Sequence, residues 1–194
     1  MRWLVFFPVL VVFAGLDAGV GSLFSISWMG GAAPSLVAVL VAFVALQASP
    51  RSALWAGWWA GLLLDVAPGS GGSGTAAIVL GPHALSMTAA AWIVVLCRGM
   101  VFRRRASTVV AISGVVAASS GLAMTSLKTL RFWLPWTEAA VPQPAVDVLL
   151  RLCGDAVATS VLAIVVASGL LLTSRLWRFD TSPGRLDYAG RRGG

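Results

Sequence analysis

Charged residues are scarce in this chain, and their scarcity excludes most soluble folds. Only 11% of its 194 residues are charged and 58% are hydrophobic, whereas about 25% of an average soluble domain is charged. The chain has one histidine and two cysteines, and it lacks paired carboxylates, metal-spaced ligands and a phosphate-binding loop. The sequence therefore predicts an integral membrane protein that is not an enzyme and holds no cofactor or metal.

Six apolar segments predict an all-α bundle of six transmembrane helices, because a span needs about 20 apolar residues. The second and third segments are short. They either extend through small residues such as Gly31 to Ala33, or they form re-entrant or locally thinned regions. We expect one transmembrane domain over 1–179 and a disordered basic cytoplasmic tail over 180–194. The segments are Trp3–Leu16, Pro34–Leu46, Ala53–Leu64, Thr75–Cys97, Ser107–Leu127 and Ala145–Thr173.

The placement of arginine orients this bundle, because Lys and Arg are retained on the cytoplasmic side near span ends. With both termini cytoplasmic, only Lys128 and Arg131 among the basic residues lie in outer loops. Topology and contact with anionic lipid then explain the net charge of +7, and nucleic-acid binding is not expected. Arg2 followed by an apolar run is also typical of a cleaved signal peptide, which is an alternative for the first segment.

The third segment carries a narrow face of small residues. Ala53, Gly57, Gly61 and Asp65 recur every four residues, so another helix can approach closely there. That helix belongs either to the bundle or to another protein. Asp65 ends the face at the outer boundary, where a hydrogen bond with His83 across the glycine loop is a further prediction.

The first segment ends much as the third does. Gly15, Leu16 and Asp17 precede Gly19 and Gly21, as Gly61 to Asp65 precede Gly69. This likeness suggests a duplicated helical hairpin, although aspartate and glycine are also ordinary cap and turn residues.

The last segment places three charged residues on one helix face. Asp147, Arg151 and Asp155 are four residues apart, so Arg151 can bridge both carboxylates and lower the cost of holding charge in a bilayer. The same face also suits a polar contact with a partner, or an ion or substrate pathway. Cys97 and Cys153 fall near opposite ends of their segments, so we expect two free thiols.

One short match points to an enzyme family. Gly71-Gly72-Ser73-Gly74 is similar to the serine loop of rhomboid-like intramembrane proteases, and His83 is the single histidine available as a base. In that family the base comes from a later, separate helix, whereas His83 opens the helix that directly follows the serine loop. We therefore interpret the loop as a turn and His83 as a packing or hydrogen-bonding residue.

A longer pattern resembles the bacterial rod-shape-determining MreD family. There the third span ends in a glycine-hydrophobic-aspartate run, a glycine-containing loop follows, and the next span begins with Leu-Gly-x-His/Arg-Ala-Leu or a similar run. The loop is longer here and Pro82 precedes His83, but loops tolerate insertion. The matching residues are Gly61, Leu62, Leu64, Asp65, Gly69, Gly81, His83, Ala84, Leu85 and Met87, followed by basic residues between Arg98 and Arg105.

The resemblance implies a non-catalytic scaffold of the cell-elongation machinery in the bacterial inner membrane, with a six-helix fold like that of transporter S-components. Its relatives regulate cell shape and peptidoglycan synthesis by binding MreC, and through a larger complex they meet RodA, a class B penicillin-binding protein and, indirectly, MreB. The expected helix-packing or partner-interface residues are Gly57, Gly61, Asp65, His83, Asp147, Arg151 and Asp155.

The alternative function is a substrate-binding membrane subunit of a vitamin or small-solute transporter, whose fold looks similar. Such a subunit needs a cavity lined with polar and aromatic side chains. A cavity opening outward beside Asp147 to Asp155 would favour this alternative.

Overall fold

The computed structural model describes residues 1–20, 31–67, 81–100, 105–132 and 145–177, and this part of the chain is helical without a β-strand. Each of the six predicted apolar segments corresponds to one long helix, which confirms the all-α prediction. The long helices are α1 (Trp3–Val20), α2 (Leu36–Gln47), α3 (Pro50–Val66), α4 (Pro82–Cys97), α5 (Ala106–Phe132) and α6 (Ala145–Leu172), and a single turn, α7 (Ser174–Trp177), follows.

Helix α2 lies at the centre of the bundle. Every residue from Val37 to Leu46 is buried, because α2 packs against all five of the other long helices. A helix that is apolar on all sides is typical of such a core position. Its 12 residues span only about 18 Å, which explains why the second apolar segment is short. Of the two alternatives for this segment, the helix does not extend through Gly31 to Ala33, since α2 begins at Leu36 after its N-cap Ser35.

The other helices form a layer around α2, in which α1 packs on α3, α3 on α4, α4 on α5 and α5 on α6. Helix α1 belongs to this layer, because Phe6 and Leu10 are buried in the core. Two helices, α5 over Ala106–Leu127 and α6 over its full length, are long and apolar enough to cross a membrane. Large apolar side chains are exposed on the outside of the layer, including Leu4, Val11, Trp92, Val161 and Val165.

Glycines bring neighbouring helices of this layer close together. A Cβ atom at Gly57 would lie 2.9 Å from the carbonyl oxygen of Met87, and one at Gly61 would overlap the backbone of His83 and Ala84 on α4. The small face of α3 is therefore filled by α4, which is the intramolecular one of the two predicted arrangements. Gly114 and Gly121 of α5 are packed in the same way, against Ser160 and Leu152 of α6.

At one end of the bundle, which we call the arginine end after Arg2 and Arg98, the start of α1 is hydrogen-bonded to α7. The backbone N–H of Arg2 donates to the carbonyl oxygen of Trp177 at 3.1 Å. Trp177 is buried, and its ring meets that of Phe43 of α2 edge to face at 5.5 Å between centroids. At the same end, the Arg98 guanidinium donates to the carbonyl oxygen of Ala48 at 2.7 Å, across the corner between α2 and α3.

The contact at Gly61 predicts a stability difference between two glycine-to-alanine substitutions. Gly61→Ala should lower the free energy of unfolding by about 1–3 kcal/mol, because the α4 backbone must shift to admit the methyl group. Gly169→Ala should leave it unchanged or slightly raised, since a Cβ atom there meets nothing within 4 Å and alanine favours the helix. Unfolding in mixed micelles titrated with SDS measures both, and equal effects would contradict the close contact.

Candidate functional site

The Asp65 junction, formed by Asp65 and the first turn of α4, joins the end of α3 to the start of α4. The carboxylate of Asp65 accepts hydrogen bonds from the backbone N–H groups of Gly81 (2.8 Å), His83 (3.1 Å) and Ala84 (3.3 Å). It also accepts one from Nδ1 of His83 at 2.8 Å. The predicted contact between Asp65 and His83 is therefore present in the structure.

The local sequence around Gly81 makes this arrangement possible. The first N–H groups of a helix have no partner within the helix, and the N-cap residue of α4 is Gly81, which has no side chain to cap them. Gly81 adopts a φ of 122°, a conformation in the left-handed region that favours glycine. Pro82 takes the first helical position, where its missing N–H is not needed. A carboxylate from the preceding helix thus serves as the cap of α4.

Asp65 is well suited to this role because of its burial. Its side chain is only 2% exposed, whereas that of His83 is 28% exposed. A negative carboxylate is stabilised at the positive end of a helix and by several N–H donors. With these hydrogen bonds directed into the protein, the site holds α3 and α4 together.

The same arrangement occurs at the Asp17 junction, formed by Asp17 and the start of α2. The carboxylate of Asp17 accepts from the backbone N–H groups of Leu36 (2.7 Å) and Val37 (3.0 Å) and from the hydroxyl of Ser35 (2.9 Å). In each of the two helical hairpins, an aspartate near the end of the first helix therefore caps the second helix. The two junctions differ in their N-cap residues, because the Ser35 side chain also caps α2 whereas Gly81 has no side chain, and the duplication of a helical hairpin stays a prediction.

The start of α2 is held from a second side by α6. Oδ1 of Asp155 accepts from the backbone N–H of Ala33 at 2.9 Å, and the hydroxyl of Thr159 accepts from the N–H of Ser35 at 3.2 Å. Sequence reasoning missed both contacts, because Asp155 and Ala33 are 122 residues apart. Thr159 gave no signal either, since a threonine in an apolar helix is usually bonded to its own backbone.

The structure does not contain the predicted bridge of Arg151 to Asp147 and Asp155 on the charged face of α6. Asp155 is bonded to the backbone before α2, and within the described residues no ion pair joins Arg151 to Asp147 or Asp155. Both Arg151 and Asp147 are exposed near the start of α6. Of the predicted site residues, the structure thus brings Gly57, Gly61, Asp65 and His83 together along α3 and α4, and it leaves the α6 residues apart from them.

The described residues contain no group of three His, Cys, Asp or Glu side chains that could hold a metal ion, and each of their buried polar side-chain atoms has a hydrogen-bond partner. Cys97 and Cys153 are free thiols, as predicted, and both are exposed. Ser73 and the tail over 180–194 lie outside the described residues.

The surface of the described part of the chain includes cavities on α5 and at the start of α1. One, of about 400 Å³, lies on α5 between Leu122 and Leu130, and the other, of about 480 Å³, lies at the start of α1 from Arg2 to Val5. Neither is lined by the Asp65 junction or by the charged face of α6.

No protein-family model, curated protein or solved structure matches the chain.

The four hydrogen bonds that Gly81, His83 and Ala84 donate to Asp65 predict a large loss of stability when its carboxylate is removed. Asp65→Ala should lower the free energy of unfolding by about 3 kcal/mol or more, because buried N–H groups lose their acceptor. His83→Ala should cost about 1 kcal/mol, since the backbone bonds remain. In the double variant the histidine substitution should add little, which a double-mutant cycle in SDS-titrated micelles measures. Asp147→Ala is the matched control, and strict additivity would contradict the contact.

The contacts of α6 predict that Asp155 matters for folding and Arg151 does not. Asp155→Ala should lower the free energy of unfolding by about 1–3 kcal/mol, because the N–H of Ala33 loses its acceptor. Arg151→Gln should change it by no more than about 0.5 kcal/mol. Comparable losses in the two variants would indicate an ion pair instead.

Proposed function

We propose that this protein is a six-helix scaffold of the bacterial inner membrane that resembles the MreD family and regulates peptidoglycan synthesis during cell elongation. The observation that carries the proposal is the Asp65 junction. The residues on which the resemblance rests, among them Gly61, Asp65, Gly81 and His83, meet at one place and hold α3 against α4. Because these residues lie together and make one helix contact, a single structural role explains why they occur as a motif.

The outside of the bundle supports the membrane location. Exposed side chains in the middle of the outer helices are apolar, such as Val115, Val157 and Ile164, and such a surface is costly in water. In this proposal all six helices lie in the membrane with both termini cytoplasmic. Helix α2 needs no full span, because five helices shield it from lipid.

The use of polar groups supports a scaffold over a transporter subunit. A solute site needs a cavity with unoccupied polar groups, whereas α2 fills the centre of the bundle and the carboxylates of Asp17, Asp65 and Asp155 are engaged by backbone N–H groups. Neither of these two cavities is lined by Asp147, Arg151 or Asp155.

The partner set follows from the resemblance. The scaffold would bind an MreC-like protein directly and would meet RodA, a class B penicillin-binding protein and MreB within a larger complex. Regulation requires that the bundle bind the active and inactive arrangements of the synthases with different affinities. The exposed apolar faces of the outer helices are the available surface, because α4 already covers Gly57 and Gly61.

A pull-down tests this function. The tagged protein is isolated from its native membrane in mild detergent, and bound proteins and extracted small molecules are identified by mass spectrometry. We expect an MreC-like protein together with cell-wall synthases, absent from a parallel purification of an unrelated six-span protein with the same tag. Recovery of an ATPase with coupling subunits, or of a vitamin in equal amount to the protein, would instead identify a transport subunit.

A further inference from the structure

Among the described residues, the charged side chains at the arginine end are all positive. Arg2, Arg51 and Arg105 are exposed there, whereas the described carboxylates, those of Asp17, Asp65, Asp147 and Asp155, lie in the opposite half of the bundle. No described carboxylate is therefore available to pair with Arg2. The guanidinium group of Arg2 makes no hydrogen bond or ion pair with the described residues.

A cavity of about 480 Å³ lies beside this unpaired charge, lined by Arg2, Trp3, Leu4 and Val5. It combines one cation, one aromatic ring and an apolar wall. Leu4 is 90% exposed, which is a costly position for leucine unless lipid or another apolar group covers it.

The walls of this cavity are held firmly. The indole of Trp3 meets the ring of Phe6 edge to face at 5.5 Å and lies 5.8 Å from that of Phe7. The backbone of Arg2 is fixed by its hydrogen bond to Trp177, which is itself buried against Phe43. The position of Arg2 is thus determined by α1, α2 and α7 together.

We propose that this cavity binds the headgroup of an anionic phospholipid. The Arg2 guanidinium would donate two parallel hydrogen bonds to the phosphate oxygens, a geometry that arginine favours. The Trp3 indole would lie at headgroup depth, and an acyl chain would follow Leu4 and Val11 along the exposed face of α1. The inference depends on the membrane location proposed above and is independent of the scaffold role.

Lipid binding by matched arginine variants tests this site. Native mass spectrometry of the full-length protein measures phosphatidylglycerol retention against phosphatidylcholine. Arg2→Gln should weaken phosphatidylglycerol binding about tenfold, and Arg2→Lys, which keeps the charge but not the paired donors, should weaken it less. Arg51→Gln is the control, because it removes an exposed arginine from the same end without touching the cavity, and it should change binding less than about twofold.

Three outcomes would overturn the inference. Equal losses in Arg2→Gln and Arg51→Gln would show diffuse charge attraction, and no loss in either would leave Arg2 without a role. Displacement of phosphatidylglycerol by millimolar inorganic phosphate would identify a site for free phosphate. Matching circular dichroism spectra establish that the variants fold. Partner recovery in the pull-down is a separate readout, so failure of the lipid site leaves the scaffold proposal standing.

Discussion

The structure depends on satisfying the N–H groups at the starts of α2 and α4. A helix leaves its first N–H groups without partners, and an unpaired group costs several kcal/mol where water is excluded. Asp17 and Asp65 meet this need from the preceding helices, and Asp155 adds a third acceptor beside α2. Because each acceptor comes from a different helix than the donors, the bonds that complete α2 and α4 also fix how α1, α3 and α6 are placed.

The central position of α2 follows from the same constraint. A helix with apolar side chains on every face can be buried completely, but its polar ends must then be capped by neighbours and not by water. At its start, α2 receives Asp17 from one side and Asp155 with Thr159 from the other. At its end, the carbonyl oxygen of Ala48 accepts from Arg98. The burial of α2 is therefore possible because side chains of neighbouring helices bond the polar groups at both of its ends.

The sequence predicted those features of the fold that depend on residues close together in the chain. The apolar runs predicted six helices, and four-residue spacing predicted the close face at Gly57 and Gly61. The contact between Asp65 and His83 was predictable because only one loop separates them. The contact of Asp155 with Ala33 was not, because it joins residues 122 positions apart and depends on how α6 packs beside α2. The spacing of Asp147, Arg151 and Asp155 predicted an ion-pair bridge within α6. Asp155 instead accepts a hydrogen bond from the backbone N–H of Ala33, just before α2.

The two ends of the bundle differ in whether their polar side chains are bonded within the protein. At the Asp65 junction the donors and acceptors are directed at each other, so those residues can be exchanged only at a cost to stability. At the arginine end, Arg2 lines a cavity, and none of the described carboxylates pairs with it. The motif on which the family resemblance rests is therefore a folding element. In the scaffold and lipid-site proposals, recognition depends on the exposed surface, where most substitutions change stability little and specificity can change without loss of the fold.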